Sequence, residues 1–205
     1  MKNQDSINSI PADQIGKFQQ LLGAALLKSN LQSEPSQLVL KYQGEQVIDT
    51  MVDVVLKYAE AISNMTVFHV AVNRQLSQEA IIDTGWKKRF DGRAVASMPQ
   101  GDSDEVDVFF FNLGSNVSES ELDSAYELRG LKPDPRAQFA VNRADPAFSD
   151  NHPNGTHWKD PDGNWCYAAW DRWSGFGHTV RVQHDSCGWR GFWWFGGVRI
   201  SRLGL

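Results

Sequence analysis

Seven of the eight tryptophans in this 205-residue chain lie between Trp158 and Trp194, and this concentration is the strongest constraint on its fold. Burial of an indole stabilises a fold by roughly 25 cal/mol for every Å² of apolar area removed from water. Several indoles can therefore support a region that has many loops. The residues between them are a mixture of Gly, Ser, Asp, His, Arg and Phe, which is typical of a recognition surface.

Length and charge narrow the class of protein further. A chain of 205 residues can form one sizeable core, or one domain with a helical extension. Its 41% hydrophobic and 22% charged residues are typical of a soluble globular protein. The net charge of −5 argues against a nucleic-acid or anionic-membrane binder, because both require a basic surface.

No segment resembles a secretory signal or a membrane span. The start MKNQDSINSIPADQ has no apolar core, and no apolar run approaches the roughly 20 residues that cross a bilayer. We therefore expect a cytoplasmic protein without membrane insertion, with surface exposure by another route left open.

The first third of the chain is predicted to be helical. Apolar residues recur at helical spacing over residues 12–27, and again over residues 47–62 after a break at Pro35. We expect a helical hairpin within residues 1–64. Two roles stay open for it: a module that docks a partner or joins copies into a homo-oligomer, and a helix pair packed on the domain that follows.

Within residues 65–205, several segments show the alternation of apolar and polar residues that is typical of β-strands, and helical segments lie between them. The predicted strands are TVFHVAVNR, EVDVFFFNL, NWCYAAW, HTVRVQH and FWWFGGVRI, and the second is expected to be buried on both faces. In the last strand, Gly196-Gly197 predicts a bulge or close packing.

Two helices and one long loop are expected among these strands. LSQEAIIDTGWKKRFDG predicts a helix with Ser77 as N-cap and Gly85 near its end. SESELDSAYELRGLKP predicts a helix capped by Ser118 or Ser120. Residues 133–163 predict an irregular connection, with turns at Asn154-Gly155 and Asp162-Gly163.

The short signatures of common enzymes are missing from the sequence, including nucleotide-binding glycine loops, the nucleophile elbow and Cys-x-x-Cys. Imidazole and carboxylate groups suit zinc or iron, but the spacing of those in the last third matches no metal site, so no metal or cofactor is predicted. The residues considered were His152, His157, His178, His184, Asp150, Asp160 and Asp162. Residues 160–165, DPDGNW, predict a tight turn, because they lack the remaining ligands of a calcium loop.

The two cysteines, Cys166 and Cys187, do not make a disulfide framework. They either pair or remain free, and a reducing compartment favours inert free thiols.

Two stretches carry a resemblance to a known family. The ending HPNGTHWKDPDGNWCYAAWDRW…WWFGGVRI, after AIIDTGWKKRFDGRAVASMPQGDSDEVDVFFFNLG, resembles the variable proteins of diversity-generating retroelements. The resemblance covers about residues 66–200. It implies an α+β chain with a C-type lectin-like domain at residues 65–205, with the subtype of formylglycine-generating enzymes open. In that family a reverse transcriptase copies a template RNA with errors at adenines, and the copy replaces the 3′ end of the gene.

The resemblance divides the last third into fixed and displayed side chains. It implies a scaffold of Trp165, Trp173, Trp189, Trp193, Trp194 and Phe195. It implies a hypervariable ligand-binding region at about residues 171–192 that comprises Asp171, Ser174, Gly175, Phe176, Gly177, His178, Arg181, His184, Asp185, Ser186, Cys187, Arg190, Gly191 and Phe192. The ligand would be a protein or a glycan, and the chain would have no catalytic activity.

The genetic code allows a partial check of this interpretation. An Asn codon, AAC or AAT, mutated at its adenines never encodes Lys, Glu, Gln, Met or Trp. From Ser174 to Phe192 only Gln183 and Trp189 are out of reach. Trp189 fits a fixed scaffold position, whereas Gln183 is either constant or a departure.

Two alternatives belong to other classes of protein. One is a carbohydrate- or receptor-binding lectin-like protein whose surface is never diversified. The other is an enzyme of the formylglycine-generating type, which would require Cys166 and Cys187 to supply a paired active-site thiol arrangement.

Overall fold

The structure is a computed structural model that describes residues 11–29, 31–76, 87–173, 177–185 and 188–200. The chain divides into two compact units, Met1–Val55 and Leu56–Leu205. The predicted cap Ser77 and the predicted helix end Gly85 lie outside the described residues.

Two helices occupy the N-terminal part of the chain, α1 (Ala12–Lys28) and α2 (Ser33–Ser63). Both predicted helices are present, but the predicted break at Pro35 is wrong, because α2 begins before it. Proline fits the first turn of a helix, where its missing N–H has no partner to lose. None of the residues of α1 is buried, and Ala61 is the buried residue of α2. Among the described residues, neither helix is long and apolar enough to cross a membrane.

The second unit combines a sheet with short helices, which confirms the α+β class. The strands are β1 (Thr66–Ala71), β2 (Lys87–Phe90), β3 (Glu105–Asn112), β4 (Leu131–Pro133), β5 (Asn154–Lys159), β6 (Trp165–Trp173), β7 (Gly177–His184) and β8 (Trp194–Arg199). The helices are α3 (Gly92–Ala96), α4 (Glu119–Arg129), α5 (Pro135–Ala144) and α6 (Pro146–Asn151).

All eight described strands belong to one mixed sheet; seven of them follow the order β1-β3-β8-β5-β6-β7-β2, and β4 pairs with β8 outside this order. Most neighbours are antiparallel, whereas β5 pairs with β8, and β2 with β7, in parallel. Strand β4 pairs with the C-terminal half of β8, next to the position where β5 pairs with its N-terminal end. The C-terminal strand β8 therefore lies in the middle of the sheet.

The centre of the sheet is buried on both faces, as predicted for the phenylalanine run in β3. Phe110 and Phe111 are 0% and 1% exposed, and successive strand residues point to opposite faces. Phe110 packs edge-on against Phe148, and Phe111 packs edge-on against Tyr126. Two cores therefore sandwich the sheet.

The paired glycines of β8 allow helices to approach both faces closely, which confirms the close packing predicted there. A Cβ atom on Gly196 would lie 2.7 Å from Oε1 of Gln138 in α5. A Cβ atom on Gly197 would lie 2.8 Å from the ring of Tyr126 in α4. A larger residue at either position would force these side chains to shift.

The prediction of an irregular connection over residues 133–163 is wrong. These residues form α5, α6 and β5. Asp134 caps α5 by accepting a hydrogen bond from the Ala137 N–H (2.9 Å), and Pro135 follows it at the first helical position. An Asp-Pro pair thus starts a helix here, although the same pair is common in turns.

The two predicted turns have opposite outcomes. Gly155 lies inside β5, where a Cβ atom would come within 2.5 Å of the Trp189 ring, so the turn predicted there is wrong. Gly163 has a φ of 85°, in the left-handed region that glycine favours, which confirms the turn at Asp162-Gly163.

Of the two helices predicted between the strands, the second is confirmed, whereas residues 77–86 of the first lie outside the described residues. Residues 87–90, predicted to be helical, form β2, and α3 begins after Asp91, whose carboxylate accepts from the Arg93 N–H (2.8 Å). Of the two predicted caps, Ser118 is the residue that caps α4, and it forms a capping box with Glu121. Gly130, with a φ of 62°, ends this helix, so the predicted helix was too long.

Candidate functional site

The predicted ligand-binding residues lie mainly on the β6–β7 hairpin and in the segment 188–193. Strands β6 and β7 pair from Cys166↔His184 to Trp173↔Gly177. One face of the hairpin, the α3 face, carries Cys166, Ala168 and Trp170 opposite His184, Val182 and Val180. The other, the Trp189 face, carries Tyr167, Ala169 and Asp171 opposite Gln183, Arg181 and Thr179.

The alternation of β7 separates the predicted residues. His178 and His184 lie on the α3 face, whereas Asp171 and Arg181 lie on the Trp189 face. These four side chains therefore do not share one surface. Ser174, Gly175, Phe176, Ser186 and Cys187 lie outside the described residues.

On the Trp189 face, Asp171 is an internal support. It is 6% exposed, and its carboxylate accepts from the Arg181 guanidinium (2.9 Å) and the Thr179 hydroxyl. The guanidinium of Arg181 also lies over the Trp193 ring, 5.7 Å from its centre. Both contacts hold Arg181 in one orientation, with its side chain 25% exposed.

The segment 188–193 covers part of this face. Trp189 is 1% exposed, and its indole N–H donates to Glu119 Oε2 (3.1 Å). Trp193 is 5% exposed. Phe192 is 54% exposed and stacks on Trp193, and Arg190 is also exposed. We call Arg181, Arg190 and Phe192 the display patch.

Two glycines of the predicted surface are held by the backbone. Gly177 has a φ of 74°, which disfavours most other residues. A Cβ atom on Gly191 would lie 2.9 Å from the Gly114 backbone. Asn112 donates through Nδ2 to the Gly191 carbonyl (2.9 Å), which fixes this contact.

The predicted scaffold residues differ in burial. Trp189, Trp193 and Phe195 are at most 5% exposed. Trp165 and Trp194 are half-buried. The side chain of Trp173 lies outside the described residues.

A buried polar group that the sequence did not reveal supports this scaffold. His157 is 1% exposed, and its Nδ1 lies 2.5 Å from Glu119 Oε2, the atom that also accepts from Trp189. The Trp165 ring stacks on the imidazole at 4.7 Å. Glu119 is the first residue of α4, where the helix dipole favours a carboxylate.

On the α3 face, both histidines have carboxylate partners. His178 Nε2 lies 2.7 Å from Asp150 Oδ1, and His184 Nε2 lies 2.8 Å from Asp160 Oδ2. Burial acts to raise the pKa of Asp160, but hydrogen bonds from Asn164, His184 and Asp162 outweigh it and lower the pKa to about 2. Asp185 follows β7 and is exposed.

Cys166 is fully buried on the α3 face, beside Ser97. Burial raises the pKa of its thiol, so that the neutral form dominates. A nucleophilic enzyme requires the thiolate, and this environment disfavours it.

Comparisons with known proteins do not assign the chain to a family. No family model, no curated protein and no solved structure matches it.

Proposed function

We propose that the chain is a ligand-binding display protein whose C-terminal surface is diversified by a retroelement through adenine-directed mutagenic retrohoming. The observation that carries the proposal is the separation of side chains within residues 177–193. Val180, Val182, Trp189 and Trp193 are 0–5% exposed, whereas Phe192 is 54% exposed and Arg190 lies in the same exposed turn. Core residues and displayed residues thus alternate along the chain, so the displayed ones can change without altering the core.

The chemistry of the display patch suits a protein or glycan ligand. Aromatic and arginine side chains dominate the energetics of many protein interfaces, because they bury large areas and form planar hydrogen bonds. Phe192 rests on Trp193, and Asp171 holds Arg181, so both are partly ordered before a ligand arrives. Such ordering reduces the entropy lost on binding.

Gln183 is expected to be a constant position within the diversified region. Adenine mutagenesis of an Asn codon cannot produce Gln, so this residue must be constant under the proposal. Its Oε1 accepts a hydrogen bond from the Tyr167 hydroxyl (2.8 Å), which supplies a structural reason for constancy.

We propose a C-type lectin-like fold for residues 65–205, a proposal supported by the α+β class of the sheet and helices. Binding is also favoured over catalysis at Cys166, because its thiol is buried and neutral. A Cys166→Ser chain that remains folded should therefore still bind ligand, whereas an enzyme of the formylglycine-generating type would lose activity.

We further propose that α1 joins copies of the chain into a homo-oligomer. Its apolar side chains follow one helical stripe and are exposed, with Phe18 at 57% and Leu26 at 45%. Under this proposal a second copy of α1 would cover the stripe. Several copies of a weak display patch would bind a repetitive ligand with higher avidity.

Sequencing of the DNA that follows the gene tests the retroelement directly. The proposal predicts a near-copy of the 3′ end that differs at adenines, next to a reverse-transcriptase gene. The differing codons should include those of Arg181, Arg190 and Phe192 and should spare that of Gln183. A locus without a template copy would leave the alternative, a binding protein with a fixed surface.

A further inference from the structure

Three metal-binding side chains meet on the α3 face of the hairpin. They are Asp160, Cys166 and His184, each of which offers one ligand atom, and these atoms all lie within 4.8 Å of one another. Cys166 and His184 are direct cross-strand partners. Asp160 reaches them from the turn between β5 and β6, where its Oδ2 lies 2.8 Å from His184 Nε2.

The turn holds the Asp160 carboxylate in a defined orientation. Its Oδ1 accepts from the backbone N–H groups of Asp162 (3.0 Å) and Asn164 (2.8 Å). Oδ2 is directed towards His184. Among the residues that the structure describes, no Lys or Arg forms an ion pair with Asp160.

The site is largely shielded from solvent. Cys166 is 0% exposed, and the side chains of Asp160 and His184 are 9% and 19% exposed. Hydrogen bonds from Asp162 and Asn164, with the contact to His184, already balance the Asp160 carboxylate. A cation between the three side chains would add an opposite charge beside it.

We propose that Asp160, Cys166 and His184 bind a zinc ion, with water as the fourth ligand. Thiolate, imidazole and carboxylate are the protein ligands of zinc, and three of them with one open position make a tetrahedral site. Such an ion holds its ligand atoms roughly 3.3–3.7 Å apart. The present atoms lie between 2.8 Å and 4.8 Å apart, so small side-chain rotations suffice. On binding, the thiol releases its proton to solvent and sulfur donates an electron pair to zinc.

Neighbouring residues support the sulfur. The Ser97 hydroxyl oxygen lies 3.6 Å from Cys166 Sγ, and it accepts from the Trp158 indole N–H (3.0 Å). Ser97 thereby connects the site to the α3 core. Its own hydroxyl proton is donated to the Ala94 carbonyl (3.0 Å), so Ser97 is held in place beside the sulfur.

The ion would act as a structural link. It would join the β5–β6 turn to the end of β7 and so fix the hairpin that carries Arg181 on its opposite face. His184 then becomes a fixed residue, although the family resemblance implies that it is displayed. This inference does not depend on a retroelement or on any particular ligand.

The test measures metal bound by the full-length chain. Zinc-loaded protein, freed of excess metal, should contain one zinc per chain. Cobalt(II) replaces zinc in such sites and reports its ligands, so a thiolate-to-cobalt charge-transfer band is expected. The spectrum is recorded in a Cys187→Ser chain, so that Cys166 is the only thiol present.

Variants assign the ligands. Cys166→Ser should abolish the charge-transfer band. His184→Gln and Asp160→Asn should each raise the zinc dissociation constant by at least about 10–100-fold. Loss of a residue that only hydrogen-bonds to a metal ligand already has an effect of this size, and these two residues are proposed to be ligands themselves. His69→Gln is the matched control, because His69 also pairs with a carboxylate, Asp107 (2.9 Å), but has no thiol in its pair.

The proposal is wrong if the folded parent chain retains no zinc, or if its cobalt spectrum lacks the thiolate band. It is also wrong if His69→Gln weakens binding as much as His184→Gln. The parent spectrum decides the matter even where the Cys166→Ser chain does not fold. If the chain binds no zinc, the proposal of the display patch still stands, because the patch lies on the other face of the hairpin.

Discussion

Replacement of Trp189 by alanine should destabilise the domain strongly. The indole is 1% exposed and makes edge-on contacts with Trp193 (5.5 Å) and Phe195 (5.2 Å). It also covers Gly155, which has no side chain to fill the space left by the ring. Phe195 and Gly155 are held in strands β8 and β5, which limits how far the neighbours can move to close the cavity.

The magnitude follows from the burial. Truncation of a buried Trp to Ala costs about 3–5 kcal/mol, as the sum of lost transfer energy and cavity formation. The lost indole N–H also leaves Glu119 without one of its donors. For a protein of this size, each kcal/mol corresponds to roughly 2–4 °C, so the melting temperature should fall by about 6–20 °C.

Urea unfolding followed by circular dichroism measures this difference. Phe192→Ala is the matched control, because Phe192 is a nearby aromatic residue that is 54% exposed. Substitution of this exposed residue should change the free energy of unfolding by about 0.5 kcal/mol or less. Equal stability of the Trp189→Ala and Phe192→Ala chains would refute the division into scaffold and display residues.

Three further changes test other parts of the account by the same unfolding measurement or by light scattering. Gly155→Ala should cost about 1–3 kcal/mol, because its Cβ atom would lie 2.5 Å from the Trp189 ring; an unchanged midpoint would contradict this packing. Ser118→Ala should cost about 1 kcal/mol by removing the capping box with Glu121, and a loss below that of an exposed-site control would contradict it. Phe18→Glu should lower the molar mass measured by light scattering, and an unchanged mass would remove α1 as the oligomer interface.

Sequence patterns predicted the elements that local chemistry determines. The capping box at Ser118 and the aromatic run at Phe110-Phe111 each depend on residues within one segment. The Asp-Pro pairs in residues 133–163 were ambiguous, because aspartate and proline begin both turns and helices. The long-range packing of α5 on β8 near Gly196 was not readable from the sequence.

The candidate site was predicted less completely. Strict alternation in HTVRVQH already separates His178 and His184 from Arg181, and this signal could have divided the proposed surface before a structure was known. The cluster of Asp160, Cys166 and His184 has no short sequence signature. It depends on the register that pairs Cys166 with His184 across the hairpin.

The central claim is that fixed core residues and exchangeable displayed residues alternate in one segment. A library of single substitutions over residues 177–193, sorted for folded full-length protein without ligand, tests it most directly. Arg190 and Phe192 should accept most residues, whereas Val180, Val182, Trp189 and Trp193 should accept few beyond close apolar replacements. Arg181 should be intermediate, because its guanidinium pairs with the nearly buried Asp171. Equal tolerance in the two groups, or intolerance confined to the displayed group, would contradict the account.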